Sequence, residues 1–409
     1  MDDGEASPHG TARVGEHTGE ESERHASWLE LFFDLVAVAG VAVLSQQLHG
    51  AESASPFGIA LVCFLAFWSA WMSFTVYGNI VGDGVLAIAV LLAMFGLAVM
   101  AASAPIEHGE HAGIFALAYV LVRALGARVW RGGRRESVLR IAQDWPVAQL
   151  TAGGLPWLVS LWFTGGWRYG LWAAGIGLDL LIIGIARGHH VTRHATRRAA
   201  GANRAPRIVA TTVDAPHFGE RLGLFILIVL GESVMTATEA LAEVPDWTTG
   251  EYFTIAGAFA LLAGLWAMAL PRGFGGIPKL AADSVPVRAL LLLHCATAAA
   301  LVTLADSIAA VLRDPGEQAP AGTVRWLLCA SVAAFTLIGM GADLTVRHRP
   351  ARMILPGVAG VAAPLAVAVF GERLGAGVLL WLVAAMVAID LAIDLATARR
   401  GGGTLSRGE

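Results

Sequence analysis

This sequence predicts an all-α fold, a polytopic membrane bundle of about 12 transmembrane helices built as two parallel six-helix repeats. Three observations lead there. The chain of 409 residues is 56% hydrophobic and only 15% charged, with a mean hydropathy of +0.64, too little charge to cover a soluble surface of that length. Apolar runs close to the length of a bilayer-crossing helix recur along almost the whole chain. Short motifs of the first half return at corresponding runs of the second.

Taken in order, residues 1–27 are polar, lack an apolar signal core and read as a cytoplasmic tail. The apolar runs of the first repeat, 28–186, are 28–49, 57–80, 84–102, 112–130, 145–164 and 167–186. The second run holds Trp68-Ser69-Ala70-Trp71-Met72, and the fourth holds Arg123. The fifth contains Gly153-Gly154-Leu155-Pro156, an interruption that membrane helices tolerate. In the sixth, Leu171-Trp172 is followed by Leu178-Asp179-Leu180. An Arg-rich cytoplasmic linker, 187–216, separates the halves.

The second repeat, 217–396, has runs at 217–241, 251–270, 288–312, 323–345, 353–370 and 375–396. Its first run shares an acidic, Phe-rich start with the first run of the chain, and Leu262 to Met268, around Trp266, echoes the Trp71 segment. Pro364 answers Pro156, and Leu380-Trp381 with Ile389-Asp390-Leu391 answers the Trp172 and Asp179 pattern. Residues 397–409 form a second cytoplasmic tail. Six spans per half give both halves the same orientation, so the repeat is parallel.

Charge location checks the count of spans. The segments 128–144, 186–216, 271–288, 346–352 and 397–409 hold 20 of the 28 Arg and Lys residues, and a twelve-span chain puts them all on one side. The opposite loops hold only Arg168, Arg313, Arg325 and Arg373. Both termini are therefore expected in the cytoplasm. The basic loops are expected against anionic lipid head groups, and they do not argue for nucleic acid. Among all these cations, Lys279 is the single lysine, a bias with no evident mechanism in the sequence.

Ionisable residues inside apolar runs are costly and normally face a protein interior or a water path. Glu30 and Asp34 stand four apart on one face of the first run, and Ser45 returns to nearly the same face. On the seventh run, Arg221, Glu232 and Glu239 lie close to one stripe, with Arg221 and Glu232 about 16 Å apart along the axis. They cannot pair with each other, so Arg221 is expected against Glu30 or Asp34, either as a structural lock or as part of a path. Glu232, with no local cation, is a candidate proton or cation site. His217 and Glu220 lie at the cytoplasmic edge, His217 as a titrating gate or a structural hydrogen-bonding residue. Asp179, Asp390 and Asp394 are helix-locking or relay carboxylates, and Arg123 has Asp343 as a candidate partner on the related helix. His294 and Asp306 fall on different faces and form no single site.

No metal or other cofactor is expected. His189, His190 and His194 have metal-like spacing but no carboxylates nearby, and Cys63, Cys295 and Cys329 sit in apolar runs as inert core thiols. His9, His17 and His25 recur in a polar tail of low complexity. No nucleotide-binding loop, zinc-protease or nucleophile-elbow motif is present, and no enzyme activity is expected.

Trp28-x-Glu30-Leu31-Phe32-Phe33-Asp34-Leu35-Val36, together with His217-x-x-Glu220-Arg221-x-Gly223-Leu224-Phe225 and Leu230-Gly231-Glu232, resembles the bacterial low temperature requirement A (LtrA) family. Length and span number agree across most of the chain. The family continues with a phenylalanine where Ala37 stands here, a change of packing more than of chemistry. The resemblance implies a multi-pass membrane protein and a link to growth in the cold, and names no substrate. Phe33-Asp34-Leu35-Val36 and Glu220-Arg221-Leu222 with Phe225 are also similar to the first-helix signature of endolysosomal potassium channels built from two six-helix repeats. That family has a serine between its Phe and Asp, which this chain lacks. The likeness implies that spans 1 and 7 flank a central path. The expectation is a secondary transporter coupled to protons or cations through acids on those spans. A passive cation channel gated by Phe33, Phe225 or leucines, and a non-transporting scaffold for membrane homeostasis, are the alternatives.

Overall fold

In lipid a backbone must satisfy its own hydrogen bonds, so apolar runs of this length fold as helices. The computed structural model describes residues 25–402, apart from 47–53, 106–108, 131–137, 143–151, 186–192, 194–195, 198–206, 245–246, 283, 314–318 and 348–353. Among the described residues the helices are α1 (Trp28–Gln46), α2 (Ala54–Val81), α3 (Ala87–Ala102), α4 (Ala112–Trp130), α5 (Gly154–Val159, prolonged by a tighter turn to Trp162) and α6 (Gly165–Ile185). They continue with α7 (Ala215–Ala242), α8 (Thr249–Ala269), α9 (Val287–Arg313), α10 (Gly322–Arg347), α11 (Ile354–Phe370) and α12 (Ala376–Gly402).

Nine of these are long and apolar enough to cross a membrane, where twelve full spans were expected. The shortfall is local. Helix α3 has 16 residues, and α11 is interrupted by a wide turn over Val358–Ala362 just before Pro364, whose missing N–H cannot hold a regular ladder. Of the run 145–164, residues up to 151 lie outside the described residues and helix α5 begins at Gly154, two residues before Pro156. His9, His17, His189, His190 and His194 also fall outside the described residues.

Helix α1 packs against α2, α3 and α7, α7 against α9, and α9 against α10. At the flanks α3 packs on α4 and α8 on α12. Bulky apolar residues such as Phe95, Leu121 and Phe259 point outward, as lipid-facing positions do. Exposed Trp162, Trp167, Trp247, Tyr252, Trp326 and Phe370 gather at the helix ends away from the Arg-rich segments, where amphipathic rings suit a membrane interface. At that end Arg168 Nε donates to the Phe163 carbonyl at 2.8 Å and Arg325 Nε to the Ala368 carbonyl at 3.0 Å. Both carbonyls close a helix C-terminus, so these arginines satisfy backbone acceptors that a last turn leaves open.

The fold is not wholly helical. Val138–Ala142 (β1) and Arg207–Thr211 (β2) pair in parallel and tie two Arg-rich segments together. Gly273–Phe274 (β3) and Ile277–Pro278 (β4) form an antiparallel hairpin. Its turn residues, Gly275 and Gly276, have φ of 61° and 73°, the left-handed geometry of a tight two-residue hairpin. Within 271–288, expected as a basic loop, the hairpin thus folds back into the bundle. The Phe274 ring lies on Gly219 of α7, Gly276 on Ile226 and Pro278 on Gly339 of α10.

Candidate functional site

The site begins with the cap of α1. Ser27 is the cap residue: its Oγ accepts from the Glu30 N–H at 3.3 Å, while its own N–H donates to Glu30 Oε2 at 2.9 Å. The Ser27 hydroxyl also donates to Oε2 at 2.9 Å. This reciprocal arrangement is a capping box, and it fixes the Glu30 carboxylate at the mouth of the helix. One turn further on the same face, Asp34 is fully buried.

Arg221, from the second turn of α7, reaches across to both acids. Its Nη2 lies 2.6 Å from Asp34 Oδ1, and its Nη1 lies 3.5 Å from Glu30 Oε1. The indole of Trp71 on α2 donates to the same Asp34 Oδ1 at 2.7 Å. His217 Nε2, one turn before Arg221, is 3.5 Å from Glu30 Oε1. Gly78 makes room for the group, because a Cβ there would lie 3.0 Å from Glu30 Oε1. Two carboxylates therefore share one guanidinium, with His217 as the fourth member.

Glu220 turns away from this cluster and meets exposed His25 at 3.4 Å.

An aromatic layer sits above the pair. Trp71 lies 4.1 Å from Phe225 and stacks at 5.5 Å on His294 of α9. Trp68 Nε1 donates to His294 Nδ1 at 3.4 Å, which leaves His294 Nε2–H to donate to the Leu222 carbonyl at 3.2 Å. Both ring nitrogens are thereby assigned, and the imidazole is neutral.

Cavities lie toward both ends of α1. At the Arg-rich end, one of about 330 Å³ is lined by residues including Glu30, Phe33, Phe74, Gly78 and Arg221. At the other end, Ser45 and Asp306 border one of about 130 Å³. A smaller neighbour shares Val41, Ser45 and Val302 with it and reaches Glu232, Ser233 and Thr236. Glu232 is half-buried there and makes no ion pair among the described residues. Between the two ends stand Trp71 and Phe225, both buried, while buried Val38, Val41 and Val229 line the small cavity at the far end.

The other embedded charges form separate locks. Arg123 on α4 pairs with Asp179 on α6 at 3.0 Å, where a pairing with Asp343 was the expectation. Asp179 is nearer in space because α4 and α6 both pack around the Trp157–Trp172 stack. Lys279, the single lysine, lies at the foot of the hairpin with its Nζ 2.7 Å from Asp390 of α12. Arg272 lies 3.8 Å from Asp394 on the same helix. Asp179 and Asp390, matched in sequence, thus find their cations on different elements. Cys63, Cys295 and Cys329 are buried and free, and the described residues contain no group of three or more potential metal ligands.

Sequence reasoning misses four residues that shape the site. Trp71 stands out in the sequence only as half of a repeated motif, and Gly78 gives no signal. His294 is noticed with Asp306 on its run and set aside, because the two lie on different faces and its partners are on other helices. Lys279 carries a signal in its uniqueness, without a reason.

A helical bundle with long apolar spans, lipid-facing apolar sides and a buried charge network defines a multi-pass membrane protein. Residues 25–389 match the model of the bacterial low temperature requirement A protein (LtrA) family, and the chain belongs to that family. No curated protein and no solved structure matches it.

Proposed function

We propose that this LtrA protein is a secondary transporter in which movement of protons or other cations is coupled through acids on α1 and α7. The observation that carries the reading is a buried charged and aromatic layer between α1 and α7, Asp34–Arg221 with Trp71 and Phe225, standing between a cavity at the Arg-rich end of α1 and the small one that Glu232 reaches. That is the arrangement of a path closed at its middle, with a hollow on each side. Asp34 and Arg221 form the closed lock on the Arg-rich side, Asp306 borders the other cavity and Glu232 lines its smaller neighbour.

The two halves, 28–186 and 217–396, act as parallel repeats in this reading. Matching neighbours support it: α1 on α3 and α7 on α9, α3 on α4 and α9 on α10, α2 on α6 and α8 on α12. The Arg-rich segments face the cytoplasm and its anionic lipid head groups, with the protein in the bacterial plasma membrane.

The test is flux through purified protein in liposomes under imposed proton or potassium gradients, comparing wild type with Asp34→Asn and Glu232→Gln. Saturable flux lost in Glu232→Gln, with folding intact, supports a carrier, and flux that does not saturate points to a passive channel. Absence of flux for every tested ion or solute sinks both. The tight Asp34–Arg221–Trp71 geometry then favours a second reading, a non-transporting scaffold for membrane homeostasis in the cold.

A further inference from the structure

We infer that the small cavity between α1, α7 and α9 is a binding site for a dehydrated sodium ion. This deepens the transport reading by naming the coupling ion at Glu232, and it rests on that reading only for the ion's passage.

The site is shared between helices. Ser45 comes from α1, Glu232, Ser233 and Thr236 from α7, and Val302 and Ala305 from α9. Glu232 and Thr236 stand four apart and Ser233 lies three before Thr236, so the α7 groups share one side of their helix. Among the described residues of the lining, Glu232 alone is ionisable, and the rest of the wall is Val and Ala.

What the hydroxyls have left to offer decides the ligand. Ser233 Oγ donates to the Val229 carbonyl at 2.8 Å, and Thr236 Oγ1 to the Glu232 carbonyl at 3.0 Å. Ser45 Oγ donates to the Ala42 carbonyl at 3.3 Å. A hydroxyl has one proton to give, and each of these gives it to its own helix backbone. Toward the cavity the three side chains therefore present lone pairs alone. The Glu232 carboxylate makes no ion pair or hydrogen bond among the described residues, and when ionised it too only accepts. An anion finds no donor in this set. A water has two protons for a larger set of acceptors. A bare cation uses them all, since hard cations take carboxylate and neutral oxygens together.

Size and charge narrow the choice. The cavity measures about 20 Å³, room for one water-sized body and for no hydrated ion or organic cation. The single carboxylate of the lining balances one positive charge, and a second charge in an aliphatic surround is costly. Few ligands, one of them a full anion, give a strong field that favours sodium over the larger potassium. The other acids nearby are Glu239, exposed about two turns further along α7, and Asp306, which borders the adjoining cavity and not this one. Because the ligands come from α1 and α7, the ion ties together the same two helices that Asp34 and Arg221 lock at the Arg-rich end.

The test is equilibrium dialysis of the purified full chain in detergent against radioactive sodium, with unlabelled sodium, potassium and choline as competitors. The expected result is saturable sodium binding that potassium displaces at least tenfold less well than unlabelled sodium does, and choline not at all. Binding should weaken at least tenfold in Glu232→Gln and severalfold in Ser45→Ala and Ser233→Ala. It should be unchanged in Thr238→Val, which removes a hydroxyl bonded to the Val234 carbonyl on the exposed side of the same helix. No sodium binding, potassium competing as well as sodium, or binding undiminished in the folded serine variants overturns the inference. If Glu232→Gln does not fold, Ser45→Ala and Ser233→Ala decide. Sodium binding without flux down an imposed sodium gradient in liposomes refutes the transport reading alone, whereas proton or potassium flux without sodium binding refutes this site alone.

Discussion

Removing the Asp34 charge is the sharpest test of whether α1 and α7 are held by their ion pair. Asp34 and Arg221 are at most 1% exposed, and 2.6 Å separates the paired atoms. Removing one partner of such a pair costs about 3–5 kcal/mol, because the other charge stays buried. In Asp34→Asn the amide oxygen still accepts from Trp71, and Glu30 remains 3.5 Å from the guanidinium. The expected loss therefore lies at the low end, about 3 kcal/mol. Arg221→Met leaves two carboxylates facing each other without that guanidinium, which puts it at the high end, about 5 kcal/mol. The double variant Asp34→Leu with Arg221→Met removes both charges and is expected to be more stable than Arg221→Met alone. Its remaining deficit includes the orphaned Trp71 N–H, about 1–3 kcal/mol. Reversible unfolding in mixed micelles with rising SDS fraction, followed by tryptophan fluorescence, gives the full cycle once the single variant Asp34→Leu is included. A loss below about 1 kcal/mol in Asp34→Asn, or a double variant less stable than the sum of the singles, would refute the reasoning.

Three further outcomes are expected. Lys279→Met leaves Asp390 buried without its cation and should cost about 3 kcal/mol, part of it restored by adding Asp390→Asn; the same micelle titration reads both. Gly276→Ala combines a φ of 73° with a Cβ placed 2.4 Å from Ile226, so it should lower the Tm measurably, whereas Gly231→Ala, with open space around it, should not. Glu232→Gln should leave stability within about 0.5 kcal/mol of wild type, because the group is half-buried and makes no ion pair among the described residues. A stability loss much larger than that would mark Glu232 as a structural residue.

Composition and apolar run length are enough to read the helices, because a bilayer admits few alternatives to them. The places where reading fails have local causes. Run length alone does not show that Pro364 sits beside a wide turn in α11, or that helix α5 begins only at Gly154 within the run 145–164. The four short strands lack the alternation that marks a half-buried strand, although Gly275-Gly276 between Phe274 and Ile277 does carry a hairpin signature. Helix phase puts Glu30 and Asp34 on one face and Arg221 at the matching depth. It says nothing of which helix is the neighbour, and so gives Arg123 the wrong candidate and Asp34 no Trp71. Cross-helix partners depend on packing, which periodicity in one helix does not contain.

The foot of the hairpin has a practical corollary. Since Lys279 carries the sole side-chain amine, and that amine is buried against Asp390, an acylating reagent has one lysine to find and is expected to reach it only when the β3–β4 hairpin lifts. Apart from the chain terminus, the rate of acylation is then a clock for hairpin departure. A lysine-specific protease has a single bond to cut, after Lys279, and is expected to cut it only in molecules whose hairpin has left. The chain thus comes with a chemical reporter already installed beside the hairpin, and no cysteine need be engineered to watch it move.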